Sequence, residues 1–468
     1  MEMNCQIPTP REYVQTMLDL AGYTKDLYGK TILENSCGEG GILTEIVQRY
    51  ITDGRNKGYS DEKIKTGLSK DIKAYEIDAQ CVQVCKQRLD ILAEKFGLED
   101  IQWNIKKADY LKSNVEKYDY IIGNPPYITY HNLSAKVRTQ LKKNFNSCAE
   151  GRFDYCYAFI EKSVLSLRTG GVLVYLVPFS IFRNRFAQSL RDELKKDVVS
   201  IIDYRSISIF DNVTASTAIL HLIKGTEKRV VNYRRMDIDK NIMLSRESLN
   251  GKWFFEEKKA TGKRFGDYFT VQNSVATLYN KAFLIRKYEE DDKYIIVDSK
   301  RIEKSILRDA ASTKSCKKRG TDKIIFPYRN YDGGYLRIPE EEMKQKYPQT
   351  MGYMRKYRKE LLKRKSSDGV LWYEYGRTQA LNEIWGEKLV ISMVITRKVV
   401  AYTADTNAVP YAGYFIKKKK ESKYNLAFAK RLLEAPEFYE YIKNTGTPTT
   451  ETSYRVSAKE IENYMFTE

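Results

Sequence analysis

The chain has 468 residues, which is enough for two or three domains of ordinary size. Hydrophobic residues make up 42% of it, so a sizeable core can form and disorder throughout the chain is excluded. The 80 lysines and arginines exceed the 61 acidic residues, and the formal charge of +19 favours a polyanionic partner, nucleic acid before membrane, although solubility alone could also use it.

Apolar stretches alternate with helical stretches through the first half of the chain. The predicted strands are residues 31–35, 72–78, 101–108, 118–123 and 172–177, and the predicted helices are 41–50, 79–96 and 154–167. This alternation predicts a parallel sheet that is covered by helices on both faces. Two further strand candidates, 198–204 and 214–223, are separated by a short connection that suits antiparallel strands at one edge of the sheet.

The alternation stops near Lys224, and a different composition follows. Clustered lysine, arginine and tyrosine, short strand candidates such as 388–394 and few long helices predict a second domain of α+β type. We therefore expect a first domain at residues 1–245 and a second domain at 246–468. A polar stretch at 54–70 is expected to be a loop inserted between the first helix and the second strand.

The chain is poor in the patterns that build metal sites, disulfides and membrane spans. Two histidines exclude a site with three imidazole ligands, and seven scattered cysteines without Cys-x-x-Cys spacing suit neither a disulfide framework nor a zinc ribbon. No metal site is therefore expected. The first ten residues lack the apolar core of a signal peptide, and no run approaches ~18 consecutive apolar residues. These features predict a protein of the reducing cell interior that is not inserted in a membrane.

The first candidate site is the glycine-rich segment 34–41, where a predicted strand runs into a helix. Glycine lets the backbone turn sharply and lets a ligand approach it, and ligands of open parallel sheets bind at the carboxyl ends of the strands. Alone the signal is weak, because glycine turns after strands are common. The segment lacks the Gly-Lys-Ser/Thr ending of a phosphate-binding P-loop.

Acidic residues follow the next two strand candidates. Glu76 ends the second of these strands, where a carboxylate can accept both ribose hydroxyls of a nucleoside, and a charge at a helix N-terminus is an equal alternative. Asp109 ends the third strand and could accept from an exocyclic amine, with a plain turn aspartate as the alternative.

The segment Asn124-Pro125-Pro126-Tyr127 directly follows the predicted strand 118–123. Two prolines end the strand and fix the loop, because neither has an amide to continue the ladder. The proline carbonyls and the asparagine side chain then become inward-facing acceptors beside a flat aromatic ring. An amine on a planar base needs such acceptors and a stacking partner. A rigid turn alone would explain the prolines but not the residues that flank them.

With these motifs in order, the chain resembles the S-adenosylmethionine-dependent amino-methyltransferases, and among them the gamma-class, TaqI-like DNA adenine-N6 methyltransferases. The resemblance covers nearly the whole chain. It implies a Rossmann-like α/β fold, with a mostly parallel seven-stranded sheet that has an antiparallel edge strand, and a C-terminal α+β target-recognition domain. It also implies S-adenosyl-L-methionine as cofactor, bound by Thr9, Glu34, Ser36, Cys37, Gly38, Gly40, Glu76, Ile77, Asp109, Tyr110, Asn124 and Phe159.

The same resemblance implies the catalytic residues, which are Asn124, Pro125, Pro126, Tyr127 and Phe210, the last of them from the segment 209–213. The amine nitrogen of adenine would attack the sulfonium methyl directly, while the asparagine oxygen and the first proline carbonyl accept its two hydrogens. A base inside a duplex cannot reach such a pocket, so it must be flipped out and stacked between Tyr127 and Phe210. One departure is Asn35, which stands where the family usually has proline or another small residue.

The resemblance further implies the modification enzyme of a restriction-modification system. We expect it to act as a monomer on double-stranded DNA in the bacterial cytoplasm, associated with the nucleoid through DNA, with a separate restriction endonuclease as a possible partner. Basic clusters at 314–319, 355–365 and 417–420 are candidates for phosphate contacts or are solvated surface. The alternatives are methylation of ribosomal RNA guanine or release-factor glutamine, and a non-catalytic DNA-specificity subunit.

Overall fold

The structure is a computed structural model that describes residues 8–205, 207–210, 216–255, 262–317, 322–331, 334–378, 380–450 and 452–467. The chain forms two compact units. The first unit comprises Met1–Lys258 with Thr447–Thr452, and the second unit comprises Lys259–Gly446 with Ser453–Glu468.

A nine-stranded sheet forms the centre of the first unit, counted over its described residues. Its strands are β1 (Ile32–Glu34), β2 (Ile72–Glu76), β3 (Asn104–Lys107), β4 (Tyr118–Gly123), β5 (Leu167–Pro178), β6 (Val198–Asp203), β7 (Thr217–Ile223), β8 (Val230–Arg235) and β9 (Lys240–Ser245). Their order across the sheet is β3-β2-β1-β4-β5-β7-β6-β8-β9. Only β7 and β9 run antiparallel to their neighbours within this sheet, so the expected mostly parallel α/β fold is confirmed.

Helices cover both faces of this sheet. They are α1 (Arg11–Leu20), α2 (Gly41–Asn56), α3 (Asp61–Asp71), α4 (Ala79–Glu94), α5 (Ala135–Asn144), α6 (Cys156–Leu165) and α7 (Gln188–Leu194). Because successive strand residues point to opposite faces, Ile121 packs in a core with α6 and α7, while Ile122 packs in a second core with α1, α2 and α4. The strands are therefore buried on both sides, as parallel strands must be.

The expectation of a loop at 54–70 is wrong. Helix α2 continues to Asn56, and α3 occupies most of the remaining stretch. The side chain of Ser60 caps α3 by accepting from the amide of Lys63, and Ile64 and Leu68 form its buried face. The apolar face of α3 is narrow and most of its residues are polar or charged. The helical periodicity of apolar residues is therefore weak in this stretch of the sequence.

The sheet also continues past Lys224, where the alternation was expected to stop. A hairpin of β8 and β9 adds two strands, and β8 is joined to β6 in parallel. Val231 and Tyr233 in β8 are buried while their neighbours in the strand are exposed, which is the period-two pattern of a half-buried strand. As a result β7 lies between β5 and β6, inside the sheet, and the antiparallel edge strand is β9.

The second unit is of α+β type, as expected. Its helices are α8 (Phe265–Tyr268), α9 (Asn280–Phe283), α10 (Thr313–Lys317), α11 (Glu340–Lys346), α12 (Pro348–Arg355), α13 (Arg358–Leu362), α14 (Leu426–Glu434), α15 (Pro436–Thr445) and α16 (Ala458–Glu462). The strands after residue 262 are β10 (Lys263–Arg264), β11 (Phe269–Asn273), β12 (Leu284–Ile285), β13 (Glu289–Glu290), β14 (Tyr294–Val297), β15 (Lys300–Glu303), β16 (Leu307–Ala311), β17 (Lys323–Ile325), β18 (Tyr328–Tyr331), β19 (Gly334–Arg337), β20 (Lys388–Ile391), β21 (Val394–Thr396), β22 (Tyr402–Ala404), β23 (Val409–Pro410), β24 (Tyr414–Lys418), β25 (Thr447–Thr450), β26 (Ser453–Arg455) and β27 (Met465–Phe466). Of these, β25 belongs to the first unit.

Two four-stranded sheets, ordered β11-β24-β20-β22 and β12-β17-β16-β23, form much of the second unit. No helix within the described ranges combines the length and the apolar character needed to cross a membrane.

Candidate active site

A cavity of about 670 Å³ opens where β1, β2 and β4 of the first unit end. Of the residues that the sequence predicts for the site, all except Gly40 line this cavity. Asn35, Glu39 and Gly41 of the predicted segment 34–41 also line it, together with six residues outside the predicted site, namely Pro8, Ile42, Arg88, Ala108, Ile128 and Tyr155. Most of these are chain neighbours of predicted residues, but Arg88 comes from the middle of α4, and no local motif marks it.

The glycine loop is tied to the end of β2. The amide of Cys37 donates to the Tyr75 carbonyl at 3.1 Å, and the amide of Gly38 donates to Oε2 of Glu76 at 2.8 Å. Gly38 has φ +51° and open space around its α-carbon, so a ligand can approach the backbone there. Hydrogen bonds therefore join the glycine loop directly to Glu76, the acid that the sequence predicts to bind ribose.

Gly40 does not line the cavity, but its surroundings require glycine for a packing reason. Its φ is +87°, and a β-carbon there would lie 2.6 Å from Sγ of Cys85 in α4. Gly40 therefore allows the start of α2 to pack closely against α4. Its effect on the cavity is indirect, through the position of the loop.

Three backbone amides fix the carboxylate of Glu76. Besides the bond from Gly38, Oε1 accepts from the amides of Ile77 at 2.7 Å and Asp78 at 2.9 Å. A carboxylate has about four acceptor positions, so one remains for a ligand hydroxyl. The orientation of Glu76 is therefore set before any ligand binds.

The turn that carries Asp109 is held from below by a buried lysine. Nζ of Lys162 in α6 donates to the carbonyls of Tyr110 and Ser113, the second at 2.6 Å. The ring of Tyr110 packs 5.8 Å from that of Phe159, measured between centroids. Sequence reasoning missed Lys162, although a lysine in the apolar stretch 154–167 was a usable signal.

Three separate segments meet at Asn124. Its Nδ2 donates to Oγ1 of Thr9 at 3.3 Å, and Oγ of Ser36 donates to its backbone carbonyl at 3.2 Å. Its Oδ1 is buried and accepts no hydrogen bond from any residue that the structure describes. A buried acceptor without a partner is costly, so this oxygen is suited to a donor supplied by a ligand.

The loop that follows Asn124 is braced against the start of α6. The amide of Tyr155 donates to the Ile128 carbonyl at 2.9 Å, and Thr129 forms a β-bridge with Asp154. Burial raises the pKa of Asp154 to about 6 and raises the pKa of Tyr127 well above its ordinary value. The loop is therefore rigid, and the hydroxyl of Tyr127 is neutral.

Phe210 is buried and also lines the cavity. The hydroxyl of Ser208 donates to its carbonyl at 2.9 Å. The remainder of the predicted segment, 211–213, lies outside the described residues.

Two polar residues at the end of β1 complete the cavity. Burial raises the pKa of Glu34 well above its ordinary value, and Oε2 of this residue has no partner in the described part of the chain. Nδ2 of Asn35 donates to the hydroxyls of Ser163, at 2.8 Å, and Tyr175. Asn35 thus joins β1 to α6 and β5, which explains how a residue larger than the family's usual one is accommodated.

The cavity unites a glycine loop, an acid after β2 and an Asn-Pro-Pro-Tyr loop at neighbouring strand ends. Residues 27–210 match the family model of the Eco57I restriction-modification methylases. The type II methyltransferase M.HincII of Haemophilus influenzae is 29% identical over 249 residues, covering 52% of this chain and 41% of that protein. The restriction enzyme and methyltransferase RM.Eco57I of Escherichia coli is 23% identical over 329 residues, covering 59% of this chain and 32% of that protein. The chain thus spans less than half the length of these curated relatives.

A solved structure gives the same assignment of fold. The type IIL restriction-modification enzyme MmeI in complex with DNA has a TM-score of 0.62 and 13% identity, covering 97% of this chain and 65% of that chain. At that identity the likeness concerns the fold alone. The chain is similar to type II restriction-modification methyltransferases, and the expected methyltransferase fold and its cofactor, S-adenosyl-L-methionine, are confirmed.

Proposed function

We propose that this chain transfers a methyl group from S-adenosylmethionine to the exocyclic N6 of an adenine that is flipped out of duplex DNA. One observation carries the proposal, the unpaired Oδ1 of Asn124 in the cavity shared with Glu76 and Asp109. An adenine amine would satisfy this oxygen, and the cofactor would occupy the part of the cavity that the two acids line.

The residues fit the cofactor's chemistry. Glu76 is preset to accept from a ribose hydroxyl, Asp109 and Ile77 line the place for a base, and the glycine loop leaves its backbone open. When bound, S-adenosylmethionine supplies an electrophilic methyl group on a positively charged sulfur. The buried carboxyls of Glu34 and Glu76 give the cavity groups that suit a cationic ligand.

The Asn124 loop would activate the amine by holding it. The nitrogen of adenine's amine is a poor nucleophile because its lone pair is delocalised into the ring. Acceptance of its two hydrogens by Oδ1 of Asn124 and by the Pro125 carbonyl would turn that lone pair out of the ring plane. Since Thr9 and Ser36 fix Asn124 beforehand, little reorganisation is needed during transfer.

Aromatic rings in the cavity would replace the stacking that a flipped base loses. Tyr127 and Phe210 both line the cavity, and stacking on an aromatic side chain contributes ~1–3 kcal/mol per base. The neutral hydroxyl of Tyr127 has no partner among the described residues and could meet a ligand group.

DNA is the favoured substrate because of the second unit. Methyltransferases with an Asn-Pro-Pro-Tyr loop that act on ribosomal RNA guanine or release-factor glutamine would not need an α+β unit of this size beside the catalytic one. A purely DNA-binding specificity subunit would not need the Asn124 oxygen oriented in a cavity. We therefore propose that the protein supplies the modification activity of a restriction-modification system and acts on DNA as a monomer, with a separate restriction endonuclease as a possible partner.

The experiment is to express the protein in a bacterium that lacks DNA adenine methylation and to map methylated bases at single-base resolution. We expect N6-methyladenine at one recurrent sequence, and none in cells that carry the empty vector. The purified protein should also transfer labelled methyl from S-adenosylmethionine to duplex DNA. Label that enters ribosomal RNA or a release factor instead of DNA would replace this proposal by the corresponding alternative.

A further inference from the structure

The second unit contains a cavity of its own, of about 280 Å³, between α10 and the segment from Ser392 to Tyr402. We call it the lysine pocket. Its lining includes the amines of Lys314, Lys317 and Lys398 and the hydroxyls of Ser392, Thr396 and Tyr402. Ile395 and Val399 are buried, so the pocket has an apolar floor beneath a rim of amines and hydroxyls.

No described residue neutralises the positive charge of the lysine pocket. Lys314 and Lys317 are three residues apart in α10 and so share one side of it, and Lys398 approaches from a different segment. No carboxylate lines the pocket, and none of these three lysines forms an ion pair within the described ranges. Lysines elsewhere in the same unit do pair, for example Lys323 with Asp309 and Lys344 with Glu341.

A tight turn holds the second side of the pocket in place. The amide of Lys398 donates to the Thr396 carbonyl at 2.7 Å, which puts Arg397 between them at φ +61°. The hydroxyl of Thr396 is bonded to that of Ser453 at 2.7 Å, in the neighbouring strand β26. A left-handed conformation is unfavourable for arginine, and such conformations persist where the surrounding structure imposes them, often at ligand sites.

We propose that the lysine pocket binds the phosphodiester backbone of DNA, an inference that rests on the proposed function of the chain. Lysine amines and the hydroxyls of serine, threonine and tyrosine are groups that contact phosphate oxygens. Specific reading of base edges relies mainly on the paired donors and acceptors of arginine, asparagine or glutamine, and no such residue lines the pocket in the part of the chain that the structure describes. The pocket therefore adds affinity without regard to base sequence.

The test measures how the affinity for duplex DNA depends on salt. Wild type, Lys314→Gln, Lys317→Gln, Lys398→Gln and the triple variant are titrated into two fluorescent duplexes of unrelated sequence over a series of salt concentrations. Each lost phosphate contact should reduce the slope of log K against log salt by about 0.9, and the triple variant by about three times as much. The loss should be the same for both duplexes.

A matched control removes one charge outside the pocket. Lys287 is exposed in the same unit and does not line the pocket, so Lys287→Gln should leave the slope unchanged. The inference is overturned if the triple variant keeps the wild-type slope, if Lys287→Gln lowers it equally, or if the loss is confined to one duplex. Pyrophosphate binding to wild type that the triple variant loses, without any change in DNA affinity, would assign the pocket to a free anion and overturn it too.

The same measurements separate this inference from the proposed function. Calorimetric binding of S-adenosylmethionine should be unchanged in every lysine variant, which shows that the catalytic unit is intact. If the wild type binds neither duplex at low salt, the proposed function itself fails. If the wild type binds and methylates DNA while the variants keep its salt slope, only the role of the pocket fails.

Discussion

The cavity of the first unit is lined by buried groups that the backbone holds in place, whereas the lysine pocket of the second unit is rimmed by exposed amines. Glu76 is fixed by three amides and Asn124 by contacts from two other segments. Lys314 and Lys398 are exposed, and neither has a carboxylate partner in the part of the chain that the structure describes. One site is built to position atoms, and the other to supply charge.

This difference sets what each site can do and how it can fail. Buried acceptors discriminate strongly, since a ligand that does not satisfy them leaves them unpaired at a high cost. Exposed charges act over longer distances and tolerate movement, but salt screens them. We therefore expect large, interdependent effects from substitutions in the first cavity, and small, independent ones in the lysine pocket.

The largest effect is expected from Asn124→Ala. The variant should bind S-adenosylmethionine and DNA normally while its methyl-transfer rate falls by about 10²–10³-fold, the range seen when a preorganised stabilising group is removed. Single-turnover kinetics with labelled cofactor measure the rate, and calorimetry measures binding. Asn132→Ala, at an exposed asparagine outside the cavity, is the control and should behave as wild type. Unimpaired turnover in the Asn124 variant would remove the mechanism.

A smaller but still substantial effect is expected on stability from Gly40→Ala. The added β-carbon would collide with Sγ of Cys85 and adopt a left-handed conformation, so unfolding free energy should fall by about 2–4 kcal/mol. Denaturant unfolding of the first unit measures this loss. Gly38→Ala has a positive φ but open space, so it should lose only the conformational part, about 1–2 kcal/mol.

A second substitution separates the two causes. Adding Cys85→Ala to Gly40→Ala removes the atom that collides, so part of the lost stability should return. The alternative outcome is that Cys85→Ala lowers the unfolding free energy of Gly40→Ala by as much as it lowers that of the wild type. In that case the collision with Cys85 does not limit packing, and the close approach of α2 to α4 is not the reason for glycine at position 40.

These two residues also show what a sequence can and cannot predict. The position of Asn124 in the cavity could be predicted because two prolines and a tyrosine directly follow it in the chain. The role of Gly40 depends on Cys85, 45 positions later, and the clash exists only once α2 and α4 pack. Local motifs at strand ends therefore predicted the cavity, whereas contacts between distant elements could not be derived from them.

The same distinction explains the errors in the fold. The sequence predicts a loop where helix α3 lies, because only a narrow stripe of its residues is apolar. Part of its stability comes from a tertiary hydrogen bond that the hydroxyl of Tyr50 donates to Asp71. Lys162 looks like an interruption in an apolar helix, yet it holds the turn of Asp109 through backbone carbonyls. The lysine pocket joins Lys314 to Lys398, which no spacing in the sequence connects.

We expect cofactor binding to depend on pH, because the cavity of the first unit has buried carboxyl groups in its lining. Because burial raises the pKa of Glu34, its carboxyl in the ligand-free protein keeps its proton to higher pH than an exposed glutamic acid does. S-adenosylmethionine carries a fixed positive charge, which favours the ionised carboxylate and so lowers that pKa on binding. Binding should therefore release protons, and affinity should rise with pH, by at most about tenfold per unit.

Calorimetry in buffers of different ionisation enthalpy measures this proton release. Glu34→Gln should abolish it, and S-adenosylhomocysteine, which lacks the sulfonium charge, should release less in the wild type. Equal release with both ligands, or release that persists in Glu34→Gln, would mean that another group takes up the charge. The lysine variants, all in the second unit, should not change it.

The smallest effects, and the most direct test of the contrast, concern pairs of substitutions. Lys314→Gln and Lys398→Gln should each weaken DNA binding only a few-fold, and their free energies should add to within ~0.5 kcal/mol, because exposed amines act independently. Asn124→Ala and Tyr127→Ala should not add in transfer rate, because a base that is no longer held gains little from stacking. Strong coupling between the two lysines would instead show that they hold a single phosphate in a fixed geometry. In that case the pocket, like the cavity, would position its ligand rather than only attract it.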